Sequence, residues 1–421
     1  MTIRLALLAA MAALSLNGCV APGERPAAMA AERRAPVTIL VSIDGFRPDY
    51  RSRGVTPTLD ALAAAGVSAA MRPSFPSKTF PNHWTIVTGL RPDRNGIVAN
   101  KMEDARRPGE TFTMASDDPF WWNEATPIWV DAERAGIRSA TMFWPGSNVA
   151  VGGARAEAWP HALTGGVRPH DWQQYNEAIS PEQRVNAVLD LLRRPEGIRP
   201  KFLTLYYEAV DTAGHEHGPD AAETTAAVAG VDRSIGQLVA GLRAMGQPVN
   251  FVIVADHGMA ATSSTRTIAL DRVADPADYR IVENGPYASL AAMPGRERAL
   301  ESRLLRPQDH MTCWRKADIP ARFAYGRNPR VPPYLCLAEV GWTIEKTAPK
   351  AEDHGGAHGY DNAAPEMAAL FIASGPAIRN AGTLAPFDNV DVNPLLRDLI
   401  GLPPATGIDG DDAPFRTILK R

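Results

Sequence analysis

Val37-Thr-Ile-Leu-Val-Ser-Ile43 is a continuous, largely β-branched run that stops at Asp44-Gly45. A run with no polar alternation reads as a strand buried on both faces, the kind found in sheets covered by helices. Comparable runs recur at 139–143, 201–207, 249–255 and 367–374. Helical patterns lie between them. Thr56 and Pro57 open one that closes at Gly66, following N-cap, first-turn and C-terminal preferences. Ser180-Pro-Glu-Gln183 has the form of a capping box, with Val185, Val188, Leu189 and Leu192 on one face after it. Val228, Val231, Ile235, Leu238 and Leu242 form a second stripe. Strands alternating with helices predict an α/β fold with a largely parallel central sheet flanked by helices. From about 260 to 350 the alternation stops, which predicts a smaller inserted cap region.

The bulk composition agrees. The chain has 421 residues, 45% apolar and 22% charged, which excludes a disordered, collagen-like or polytopic membrane protein. Lys and Arg number 44 against 47 Asp and Glu, a formal charge of −3, and no specific nucleic-acid binding is expected. Arg4 precedes an apolar run from Leu5 to Leu14, too short to span a bilayer but suited to a signal peptide. Leu16-Asn17-Gly18-Cys19 then resembles a bacterial lipobox, with an ordinary signal peptide cut after Ala30 as the other reading. The expected division is a lipoprotein-type signal at 1–18, a flexible tether at 19–35 and the main domain at 36–421. The expected location is the periplasm, with Cys19 lipid-anchored to a bacterial membrane. Cys313 and Cys336 either pair or remain buried thiols. Pro320, Pro329, Pro332 and Pro333 between them favour the disulfide, because so loop-rich a segment gains from a closed loop.

Polar residues gather where strands end. The first strand finishes at Asp44. The strand at 201–207 runs on to Asp211-Thr-Ala-Gly-His215-Glu-His217, and the one at 249–255 ends in Asp256-His257-Gly258. His354-Gly-Gly-Ala-His358-Gly-Tyr360 comes late in the chain. Ligands of open α/β sheets bind beyond the carboxyl ends of strands. A lone Asp there is usually a turn residue, and a lone His is more often structural. Four such clusters are different, because adjacent carboxylates repel unless cations compensate them. A mixed oxygen and nitrogen set suits zinc, and two ions are the natural use of six or seven ligands. Gly-x-Ser-x-Gly and the P-loop pattern are both absent, which leaves a serine-hydrolase elbow and a P-loop nucleotidase unsupported. Pro73-Ser-Phe-Pro-Ser-Lys-Thr79 offers hydroxyls at Ser74, Ser77 and Thr79 before a helix-like stretch at 84–89.

Asp44-Gly, Lys78-Thr79-Phe80-Pro81-Asn82-His83, Gly96-Ile-Val-Ala-Asn100, Phe143-Trp-Pro-Gly-Ser147, Asp211-x-x-x-His215, Asp256-His257-Gly258-Met259 and Gly356-x-His358-Gly-Tyr360 resemble the motifs of the nucleotide pyrophosphatase/phosphodiesterase family. That family belongs to the alkaline phosphatase superfamily. The resemblance covers roughly residues 37 to 400, with the motifs in the family's order. It implies two zinc ions: one held by Asp211, His215 and His358, the other by Asp44, Asp256 and His257, with Thr79 as ligand and nucleophile. It implies attack by Thr79 on the phosphorus of a small nucleotide substrate, a covalent phosphothreonine and its hydrolysis, with Asn100 and the Thr79 N–H holding a phosphoryl oxygen. Phe80 and Tyr206 resemble the aromatic pair that sandwiches a nucleobase, against the plainer reading as core aromatics. By family position His217 and His354 are not ligands.

Two alternatives remain at this stage. A monoesterase would need a Lys/Arg pair to grip the extra charge, and Phe143-Trp-Pro-Gly-Ser-Asn148 has no basic residue. A lipid or choline-type diesterase shares all the ligands and differs mainly in its pocket. Oligomeric state is not encoded in any of these motifs.

Overall fold

The computed structural model describes residues 34–351 and 353–420. Residues 1–33, including the signal-like segment, Cys19 and nearly all of the expected tether, lie outside the described residues. Ala35, the tether's last residue, is docked: its carbonyl accepts a hydrogen bond from Gln247 Nε2 at 2.8 Å.

The compact unit Ala35–Arg421 is built on a nine-stranded sheet. Its order is Gly382–Thr383, Val67–Arg72, Ala369–Ser374, Val249–Val254, Val37–Ile43, Phe202–Tyr207, Ser139–Met142 and Asp171–Gln173, with Phe387–Asp388 also beside Val67–Arg72. Val37–Ile43 lies at the centre, its Val41 opposite Ile253 on one side and Leu205 on the other. Every residue of Val37–Ile43 and of Val249–Val254 is buried, as a run without polar alternation implies. The five strands from Val249–Val254 to Asp171–Gln173 are parallel. Ala369–Ser374 runs antiparallel to both its neighbours, so the sheet is mixed. Its apolar run at 369–373 suits either direction, and a strand buried on both faces carries no mark of its polarity.

Helices flank the sheet in two groups. Pro57–Ala65, Pro181–Arg193 and Ala209–His217 pack on the long helix Ala222–Ala244, while Ile128–Arg134 and Val392–Ile400 pack on Thr79–Thr88. The Ser180 capping box forms both of its bonds. Thr56 does not cap by its side chain. The buried Asp232 carboxylate instead accepts the N–H groups of Thr58 and Leu59, at 3.1 and 2.8 Å. Gly66 ends that helix at a negative φ of −143°. Its requirement is space, since a Cβ there would lie 2.1 Å from the Ala373 carbonyl oxygen.

The segment after residue 260 has structure of its own. Tyr279–Glu283, Tyr287–Ala292, Tyr334–Ala338 and Met311–Arg315 form an antiparallel sheet. Leu290, Leu300, Leu304, Met311 and Cys336 belong to a separate apolar cluster beneath it. Cys313 and Cys336 lie directly opposite each other on paired strands and are joined by a disulfide. Arg330, fully buried, ties the segment back through Asp104 and the carbonyls of Gly96 and Trp121. Ala260–Ser263 pairs with His354–Ala357, which brings the late glycine-rich loop to the carboxyl end of the central strands.

Candidate active site

The end of the sheet collects the polar residues. Asp44 directly follows Val37–Ile43, Asp256 and His257 follow Val249–Val254, and His358 follows His354–Ala357. Asp211 and His215 sit on the helix Ala209–His217, where a spacing of four places both on one face. Gly45 makes the close packing feasible. It adopts φ +68°, and a Cβ there would stand 3.0 Å from the Asp211 Cα.

Two trios result. In each of Asp44/Asp256/His257 and Asp211/His215/His358, donor atoms lie within 4.8 Å of one another. The histidines are already oriented. Nδ1 of His215, His257 and His358 faces the carbonyl oxygens of Gly356, Gly258 and Ser77, at 2.8, 3.0 and 2.9 Å. A carbonyl only accepts, so each Nδ1 carries a proton, and in the neutral ring that a metal ion would bind each Nε2 holds the lone pair. Those lone pairs point at carboxylates. His257 Nε2 lies 2.9 Å from Asp256 Oδ2 and 3.4 Å from Asp44 Oδ1, while His215 and His358 Nε2 lie 3.4 and 3.7 Å from the Asp211 oxygens. Asp44 Oδ1, Asp211 Oδ1 and Asp256 Oδ2 are buried without a hydrogen-bond partner. Lone pairs facing unpaired carboxylate oxygens repel unless a cation stands between them. The donor set therefore fits divalent metal, and its oxygen and nitrogen composition is one zinc accepts.

The electrostatics show the same strain. Burial, reinforced by Asp256 and Asp211, pushes the Asp44 carboxyl well up, and burial raises Asp211. Burial also acts on Asp256, but His257 and His83 outweigh it and hold that carboxyl well below its usual range. Burial and the neighbouring His257 drive the His358 imidazole well down, which keeps its lone pair free.

Thr79 is the first residue of the helix Thr79–Thr88, so that helix starts five residues before the helix-like stretch expected at 84–89. The Pro-rich approach obscured its start. Its hydroxyl lies 3.3 Å from His257 Nε2, at a helix N-terminus, where N–H groups and the dipole favour anions. Asn100 Oδ1 accepts the Phe80 N–H at 2.9 Å, which leaves Nδ2 as the donor edge of that amide. Both residues line a cavity of about 590 Å³ together with Asp44, Asp211, His215 and His358.

Tyr206 lines the same cavity but has another occupation. Its hydroxyl donates to Asp44 Oδ2 at 2.7 Å, and its ring packs edge-on with His83 and Tyr175. The expected partner of Phe80 is thus tied to a carboxylate. Tyr175, 48% exposed, presents the aromatic surface on that wall. Sequence reasoning missed Tyr175 because it sits in a polar loop with no periodicity. Lys78, which in the sequence stands only as part of the motif around Thr79, also lines the cavity and donates to the His358 carbonyl at 3.3 Å. His83 is also structural to the site. It is fully buried, bonded to Ser42 Oγ and the Thr79 carbonyl, and 3.3 Å from Asp256. Its spacing of four from Thr79 was the available signal. His217 and His354 line a separate pocket with Asp220 and Arg266, apart from both trios.

Comparison with known proteins gives consistent results. Residues 38–361 match the sequence profile of the type I phosphodiesterase / nucleotide pyrophosphatase family. A bis(5'-adenosyl)-triphosphatase of Xenopus laevis is 36% identical over 372 residues, covering 87% of this chain and 78% of that one. Ectonucleotide pyrophosphatase/phosphodiesterase family member 1 of Mus musculus is 34% identical over 408 residues, covering 93% of this chain. The match spans only 43% of that longer relative. Among solved structures, an inactive threonine-to-alanine variant of murine ectonucleotide pyrophosphatase/phosphodiesterase 5 in complex with AMP is similar at a TM-score of 0.84 and 31% identity, over 92% of this chain and 100% of the other.

Proposed function

The chain belongs to the type I phosphodiesterase / nucleotide pyrophosphatase family and is a hydrolase of phosphodiesters, and from that premise we propose that it releases nucleoside monophosphates from nucleotide phosphodiester and pyrophosphate bonds, using two zinc ions and a phosphothreonine at Thr79. One observation carries the reading: two trios of Asp and His with unpaired buried oxygens lie beside a hydroxyl at a helix N-terminus. The complex of a related protein with AMP supports a nucleotide as substrate.

Asp44, Asp256 and His257, with Thr79, would hold one ion, and Asp211, His215 and His358 the other. Bound zinc supplies a lowered hydroxyl pKa and positive charge for the phosphoryl oxygens. The residues do the rest. Thr79 Oγ1 loses its proton and bonds to phosphorus while the bond from phosphorus to the leaving oxygen breaks, that oxygen taking the electron pair. Water then adds to phosphorus, the bond to Oγ1 breaks, and Thr79 regains a proton. Asn100 Nδ2 and the Thr79 N–H donate to a non-bridging oxygen throughout. Phe80 and Tyr175 offer aromatic faces for the base, where stacking is worth about 1–3 kcal/mol. Tyr206 serves by orienting Asp44.

The choline-type alternative is disfavoured by Glu208. Among the described residues it is the one carboxylate lining the cavity outside the two trios, and it already pairs with Arg184 at 2.5 Å, so it has little charge to offer a quaternary ammonium. Rates on a nucleotide nitrophenyl ester, nitrophenyl phosphate and nitrophenyl phosphocholine, measured on one zinc-loaded preparation, test the assignment. The nucleotide ester is expected to be fastest, and either of the others leading would replace it with a monoesterase or a choline-type enzyme.

Placement is a separate proposal. Residues 1–18 would direct export, Cys19 would carry the lipid in a bacterial periplasm, and 19–35 would tether the domain at 36–421, with 260–350 as its cap. Two acyl chains at about 0.8 kcal/mol per buried CH₂ give stable anchoring. Cys19→Ala should therefore move the protein from the membrane to the soluble fraction.

A further inference from the structure

Arg184 is nearly fully buried, its side chain 1% exposed, and belongs to no trio. It stands in the first turn of the helix Pro181–Arg193 and bonds to two stretches of chain: the loop ending at Ile179, and the cavity-lining stretch that holds Tyr206 and Glu208. Nε donates to the Ile179 carbonyl at 2.9 Å, at the end of the loop that carries Tyr175. Nη1 donates to the Tyr206 carbonyl at 3.1 Å, on the strand whose hydroxyl side chain holds Asp44. Nη1 and Nη2 grip the Glu208 carboxylate in a fork, at 2.5 and 2.8 Å. The guanidinium also lies 4.9 Å over the ring of Phe143, which in turn meets Tyr175 edge-on at 5.3 Å.

Phe143 is itself unusual. It adopts φ 61°, a left-handed conformation that an aromatic residue takes only when its surroundings enforce it. The Thr204 hydroxyl holds its carbonyl at 3.0 Å, and Arg184 holds its ring. An Arg with a planar fork can satisfy several acceptors at once, and Lys cannot.

Resting on the nucleotide reading above, we propose that Arg184, with Glu208, is a positioning residue for the substrate's base: it locks Phe143 and the Tyr175 loop into the wall against which the base lies. It does not grip phosphate, because its charge is committed to Glu208. Its influence therefore falls on the organic substituent and spares the reaction at phosphorus.

The test compares a nucleotide nitrophenyl ester with bis-nitrophenyl phosphate, which has no base. Arg184→Met should lower kcat/KM on the nucleotide ester by about 10- to 100-fold, mostly through KM, and change the bis-nitrophenyl rate by less than about 3-fold. Arg184→Lys should recover only a small part of the loss. Glu208→Gln, which keeps the shape, should show the same split at roughly 3- to 10-fold and carries the test if Arg184→Met does not fold. AMP affinity measured by calorimetry on metal-loaded Thr79→Ala protein should fall by a similar factor when Arg184→Met is added. Equal losses on both substrates, or none on the nucleotide ester, would overturn the proposal while the substrate reading stands. A wild-type protein with no preference for the nucleotide ester would instead overturn the substrate reading and the proposal with it.

Discussion

The two trios are built from the same residue types but sit in different solvent. His257, Asp44 and Asp256 are 0%, 1% and 0% exposed, whereas His215 and Asp211 are 39% and 17% exposed, with only His358 sealed at 3%. The inner trio also has backing. Tyr206 bonds Asp44 from behind, His83 lies 3.3 Å from Asp256, and Thr79 is its neighbour. The outer trio opens into the cavity. Burial makes the inner charges costly without a cation and insulated once one is present. Exposure leaves the outer trio accessible to water, as the second half of the proposed two-step hydrolysis would require. In the proposed mechanism the inner trio would activate Thr79, and the outer would receive substrate and water.

Breaking the comparison at its centre gives the largest effect. Thr79→Ala should reduce turnover to below a few per cent, while metal analysis still finds about two zincs per chain. Retained turnover would remove the covalent step, and one zinc or none would remove the dinuclear assignment. Next come the ligands. Asp256→Asn should cost activity by about 10³-fold and lower Tm by several degrees, because it disturbs a buried charge network. His215→Ala should cost activity by about 10²-fold with little change in Tm. Titration with a chelator should remove the outer ion first, in two resolved steps, and a single concerted loss would make the two sites equivalent.

Tyr206 and Tyr175 sharpen the contrast further. Tyr206→Phe removes only the bond to Asp44 and should slow the nucleotide ester and bis-nitrophenyl phosphate alike, by about 10-fold. Tyr175→Ala and Phe80→Ala should each slow the nucleotide ester by about 10- to 100-fold and spare the other substrate. The reverse pattern would return Tyr206 to the base-stacking role.

The smallest effect isolates burial from metal. Asp391 has its pKa pushed up to about 6, by burial and then by Asp411 and Asp388, with no histidine trio around it. A carboxyl raised on folding supports stability below its unfolded value, near 3.9, and that support is lost as pH rises through about 6. Asn can still accept the Asp411 N–H that Asp391 Oδ1 accepts at 3.0 Å. Asp391→Asn should therefore stabilise the fold at pH 8 by about 1 kcal/mol, after allowance for solvent screening, and have little effect near pH 4. A stabilisation independent of pH would mean that the carboxyl is not the source.

Much of this was legible in the chain because it is encoded locally. An unbroken apolar run followed by Asp marks a buried strand and its carboxyl end wherever the strand lies in the sheet. A spacing of four puts Asp211 and His215 on one face of any helix. Ser180 and Gln183 close their capping box within a single turn. What the sequence by itself determined was therefore the strands, the helices and the list of Asp and His residues at strand ends. Tertiary structure alone decided the rest. It set the reversed direction of Ala369–Ser374, the capping of Thr58 and Leu59 by Asp232, and the three carbonyls that fix which histidine nitrogen keeps its lone pair. It also turned Tyr206 toward Asp44, left Tyr175 facing the cavity and brought Lys78 beside His358. Each of these depends on a partner distant in sequence or on a direction the local residues do not specify, and periodicity reports which face of an element is buried without saying what meets it there.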